Sequence, residues 1–129
     1  MHSWTIENLL MKNAKLFAEV NVKEELDYLK ELKAEGQILV DSDKKMFVYL
    51  LGDQEGFVHL RFPSEVWSTL DIERKKETPV HLLLIKGEKK VELELIGFWS
   101  ELTSLLDNIQ GNRNYGDEMV ETVETMFKL

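Results

Sequence analysis

The chain has 129 residues, 43% of them hydrophobic, which is enough for one compact core and too little for two ordinary domains. Sixteen basic against 24 acidic side chains leave a net charge of −8, a field that repels polyanions and argues against binding nucleic acid through its phosphates. Cysteine is absent, which excludes disulfides, thiolate nucleophiles and zinc–sulfur sites and makes a reducing, cytoplasmic compartment the expected home. No apolar run approaches the roughly 18 residues of a membrane span, and Met1–Lys12 lacks the basic start and long apolar centre of a secretory signal.

Along the chain, Trp4, Ile6 and Leu10 fit a period of two while Ile6, Leu9, Leu10, Ala14 and Phe17 also fit a helix; two strands within Trp4–Val20 that turn at Lys12–Asn13 are the favoured reading. Val22, Leu26, Leu29 and Leu32 recur at intervals of four and three, predicting a short amphipathic helix stopped by Gly36. From Ile38 the pattern becomes extended. Ile38–Val40 ends in Asp41-Ser42-Asp43, and Met46–Leu51 is apolar on both faces, as in a strand inside a sheet. A loop at Asp53–Glu55 would pair Leu50 with Val58, Val48 with Leu60 and Met46 with Phe62, leaving Phe47, Tyr49, Phe57, His59 and Arg61 on the opposite face.

Pro63-Ser64 opens a short helix with Val66, Trp67 and Leu70 on one side. A second hairpin, Val80–Ile85 with Val91–Ile96, turns at Gly87-Glu88 and sets Leu84 against Val91, Leu82 against Leu93 and His81 against Glu94. Phe98, Trp99, Leu102, Leu105, Leu106 and Ile109 then follow the helical period up to Gly111, and a last helix runs from about Gly116 to Lys128. The expected class is α+β: a mainly antiparallel sheet, a short helix between hairpins, and a C-terminal antiparallel helix pair packed on one face.

Two kinds of site are candidates. The loop residues Asn112, Arg113, Asn114 and Tyr115 offer amides, a guanidinium fork and a phenol that could hold a small ligand, with Asp41 and Asp43 as further oxygen donors. Turn chemistry accounts for the same residues, with Asn114 capping the last helix and Tyr115 stapling the loop to the core. The face bearing Phe47, Tyr49, Phe57, His59 and Arg61 would be an interaction surface if open, and core if the terminal helices cover it. His81 opposite Glu94 reads as a cross-strand ion pair. No phosphate loop, metal-binding sequence or nucleophile elbow is present, so neither cofactor nor metal is expected.

Leu39-Val40-Asp41-Ser42-Asp43, Pro63 with Trp67, and above all the Asn112-Arg113-Asn114-Tyr115-Gly116 loop between two helices resemble a small family of uncharacterised proteins from low-GC Gram-positive bacteria. The resemblance runs from about Ile38 to Phe127, with Gln110 where an acidic residue is expected. It implies a one-domain cytoplasmic protein and supplies no catalytic residue. Together these readings predict a non-enzymatic interaction or regulatory module, with a protein partner or a second copy and with neither nucleic acid nor membrane. The competing reading is a small-ligand-binding protein or enzyme using the Asn112–Tyr115 loop beside Asp41 and Asp43. A deep pocket joining those two places would favour the second reading, and a flat exposed patch the first.

Overall fold

The computed structural model describes residues 2–129. Strands β1 (Ser3–Thr5) and β2 (Asn8–Lys12) form one extended run that bends at Ile6–Glu7 and serves two sheets. On one side of the bend the Ile6 N–H donates to the Arg61 carbonyl, and on the other the Glu7 N–H donates to that of Glu19, both at 2.9 Å. β2 then turns into β3 (Lys15–Asn21) through Asn13 and Ala14, both at positive φ (53° and 63°), the backbone of a type I′ hairpin.

The first sheet has the order β1-β6-β5-β4, with β4 at Lys33–Asp41, β5 at Met46–Asp53 and β6 at Gly56–Pro63. The second has the order β2-β3-β7-β8, with β7 at Val80–Lys86 and β8 at Lys89–Glu94. β1 runs parallel to β6 and β3 parallel to β7, while the remaining pairs are antiparallel. Two mostly antiparallel sheets thus replace the expected one, and the α+β class stands. The helices are α1 (Leu26–Lys30), α2 (Trp67–Arg74, entered through a 3-10 turn at Ser64–Val66), α3 (Phe98–Ile109) and α4 (Asp117–Met126).

One core cluster joins the inner sides of both sheets and the helices. Leu16, Ala18, Leu82 and Leu84 of the second sheet belong to it together with Phe47, Tyr49, Leu60 and Phe62 of the first and Trp67, Phe98, Leu102, Val123 and Phe127 of the helical part. Two of the three indoles are hydrogen-bonded inside it: Trp67 Nε1 donates to the Phe62 carbonyl at 3.0 Å and Trp99 Nε1 to that of Thr78 at 2.6 Å. Tyr49 ties the far ends of the two sheets together. Its hydroxyl donates to the Ile96 carbonyl at 2.6 Å and accepts the Gly36 N–H at 3.1 Å, and burial pushes it up to about 12.

The β7–β8 hairpin has the expected register, Leu84 to Val91, Leu82 to Leu93 and His81 to Glu94, with Gly87 at φ +61° in its two-residue turn. The β5–β6 hairpin does not. Its loop is Gln54-Glu55, because the Asp53 carboxylate accepts the Glu55 and Gly56 N–H groups at 2.8 and 3.0 Å and closes the turn on Asp53 and Gly56. The one-residue shift pairs Tyr49 with Leu60 and Phe47 with Phe62, and turns those four inward. Gly36 is likewise no helix stop. The helix ends at Lys30, and Gly36 takes φ +72° within β4, where the register shifts between Ala34 and Ile38.

Candidate interaction surface

Alternation places Leu39 and Asp41 of β4, Val48 and Leu50 of β5, Phe57, His59 and Arg61 of β6 and Ser3 of β1 on the outer side of the first sheet. Val48 and Leu50, on a central strand, are buried, yet they stand outside the core cluster. Their cover comes from neighbouring side chains. Arg61 Nη1 lies 2.9 Å from Asp41 Oδ2, and its Nε donates to Ser3 Oγ at 3.0 Å. β6 and β4 flank β5 and are about 10 Å apart, so the guanidinium reaches Asp41 only by crossing β5 beside Val48.

This strap is electrostatically set. The Lys44 backbone N–H, the largest influence, holds the Asp41 carboxyl below the usual carboxylate range against the opposing effect of burial, and the Arg61 guanidinium adds to the lowering. Either side of the strap stays apolar and open, with Leu39 41% and Phe57 51% exposed. A shallow depression of about 350 Å³ beside Leu39 is lined by Leu39, Asp41, Asp43, Val48, His59 and Arg61.

Of the residues expected on one aromatic face, Phe57, His59 and Arg61 therefore share this outer side, whereas Phe47 and Tyr49 lie in the core, 1% and 0% exposed. Asp41 and Asp43 belong to the same depression as His59 and Arg61 and not to the Asn112–Tyr115 loop. A Lys45–Glu118 ion pair at 3.5 Å does tie the β4–β5 turn to the start of α4. In the loop the polar groups serve the backbone: the Asn112 side chain accepts the Asn114 N–H at 3.1 Å and caps a 3-10 turn at Arg113–Tyr115. Arg113 pairs with Asp117 at 3.6 Å, and Tyr115 packs partly buried against the core. Asn114 does not cap α4, whose N-cap position is Gly116.

A family of unknown function (UPF0738) matches residues 4–127. The chain belongs to that family. Similar proteins of the family include one from Halalkalibacterium halodurans, 35% identical over 129 residues that cover 98% of each chain. Another, from Staphylococcus aureus, is 39% identical over 117 residues, 86% of this chain and 94% of the relative. A third, from Lysinibacillus sphaericus, is 46% identical over 99 residues, 76% and 74% of the two chains. No solved structure matches. The family match reaches back to residue 4, so the N-terminal third shares the resemblance first seen from Ile38 onward.

Other polar clusters tie elements together. Tyr28 on α1 donates to Asp53 Oδ2 at 2.7 Å, which, with the Glu55 N–H, lowers the Asp53 carboxyl, and burial raises the Tyr28 phenol. His2 Nδ1 lies 2.7 Å from Glu24 and its ring 4.9 Å from that of Tyr28. No local sequence signal joins residues 25 positions apart. On the second sheet His81 faces Glu94 in register, yet its Nδ1 approaches Glu92 at 2.8 Å, along the diagonal, without an aligned hydrogen bond. Among the described residues no group of three or more His, Asp or Glu converges as a metal site would require, and no helix is long and apolar enough to cross a membrane.

Proposed function

We propose that the protein is a non-enzymatic interaction module whose partner is another protein, bound on the outer side of the first sheet. The observation that carries this reading is an apolar sheet face that, among the described residues, stands outside the core cluster and is covered by its own side chains. Leu39 and Phe57 stand open beside the Ser3–Arg61–Asp41 strap, and Val48 and Leu50 lie just beneath. Aromatic and Arg side chains in such a setting are the usual energetic centres of protein interfaces. Self-association is a further mode of the same behaviour. The competing small-ligand reading draws less support, since the cleft beside Asp41 and Asp43 is wide and shallow and is lined by the sheet and not by Asn112, Arg113, Asn114 or Tyr115.

Affinity capture with the purified chain tests this. Phe57→Asp and Leu39→Asp, at positions open enough to accept charge, are expected to lose a partner that the wild type and Arg113→Ala both retain. Equal recovery of every partner by all four chains would overturn the reading.

A further inference from the structure

We infer that β2 is a self-complementary edge through which two copies of this chain pair antiparallel about Leu10. Four strands form the margins of the two sheets, and three are blunted. β1 has three residues. β4 has its Ile38 N–H taken by the Glu101 carboxylate at 3.3 Å and its Gly36 N–H by Tyr49. β8 carries Lys89, Lys90, Glu92 and Glu94 among six residues, the charged pattern that discourages edge pairing. β2 reads Asn8-Leu9-Leu10-Met11-Lys12, with Leu10 50% and Met11 47% exposed.

The backbone of β2 is oriented for a further strand. The two-residue Asn13-Ala14 turn makes Lys12 and Lys15 a hydrogen-bonded pair, so Leu10 with Phe17 and Asn8 with Glu19 are hydrogen-bonded pairs as well. The N–H and C=O groups of Leu9 and Met11 consequently point away from β3. Among the described residues no further strand and no side-chain hydrogen bond meets them.

One antiparallel register satisfies all of these groups about a twofold axis. Leu9 of each copy exchanges two hydrogen bonds with Met11 of the other, and Leu10 faces its own counterpart across the axis. On one face Leu10 meets Leu10, and on the other the exposed Met11 meets Leu9. At each end Lys12 comes opposite Asn8 of the second copy, whose in-register neighbour on the same face is Glu19. Apolar groups therefore fill the centre and polar, oppositely charged groups close the ends. The contact is short, well below the roughly 1,200 Å² of a stable interface, so the association is concentration-dependent. It uses no residue of the first sheet, and its failure would leave the partner surface proposed above untouched.

Sedimentation of the purified chain from roughly 10 μM to 1 mM is expected to show the mass rising from one chain towards two. Leu10→Lys and Met11→Pro should both remain single chains with unchanged circular dichroism, the second because the Met11 N–H serves no bond within the chain. The absence of cysteine permits a register test. Opposed non-hydrogen-bonded residues have Cα atoms about 4.5 Å apart, within disulfide reach, so Leu10→Cys should cross-link two chains under copper phenanthroline and air while Lys12→Cys does not. A wild type that stays one chain throughout, pairing that persists in both edge variants, or Lys12→Cys cross-linking as readily as Leu10→Cys would each overturn the inference.

Discussion

The outer faces of the two sheets shield their apolar residues by different means. On the first, the Arg61 side chain crosses the central strand and is held at Ser3 and Asp41, with both ends of the ion pair largely buried. On the second, Phe17, Leu83 and Ile85 are half covered, and His81, Glu92 and Lys15 form a loose chain of contacts at 2.8 and 3.8 Å around a Glu92 that is 43% exposed. A side chain that spans strands contributes packing as well as charge, whereas an exposed pair contributes little of either. The two faces should therefore answer very differently to the loss of one charged residue.

Arg61→Ala should have the largest effect, a loss of about 2 kcal/mol in denaturant unfolding, because it uncovers Val48 and strands the Asp41 carboxylate. The same strap gives an acid dependence. The folded Asp41 carboxyl is more acidic than the unfolded one, so its contribution is full above the ordinary Asp value of about 3.9 and is lost as pH falls through the folded value. Asp41→Asn should flatten that part of the stability profile below about pH 4. A gain of about 1 kcal/mol is expected for Ala14→Gly, which relieves a left-handed alanine in the turn that leads out of β2. Glu92→Gln should cost the least, under about 0.5 kcal/mol, and a larger loss would mean that the two faces are built alike.

Much of the architecture was legible in the sequence, and the misreadings have identifiable causes. The β7–β8 register followed from Gly87, the one residue there suited to a left-handed turn position. Between β5 and β6 two glycines, Gly52 and Gly56, framed several possible loops, and the choice fell to Asp53, whose carboxylate selects the two-residue turn. That one-residue difference sent Phe47 and Tyr49 inward and left Phe57, His59 and Arg61 outside. The parallel pairings β1–β6 and β3–β7 join segments more than 50 residues apart, beyond the reach of local periodicity. The Ser3–Arg61–Asp41 strap inherits that difficulty, since two of its three members meet only through β1.

The bend at Ile6–Glu7 also governs the order in which the protein can assemble. The amino-terminal run must wait for β6 before it can enter the first sheet and for β7 before β3 can join the second, so the first sheet closes only after Pro63 and the second only after Glu94 has been synthesised. During that interval the β2–β3 hairpin holds Leu9, Leu16, Ala18 and Val20, all of them core residues of the finished fold, without their final neighbours. On the ribosome, the stretch translated early is thus among the last to find shelter.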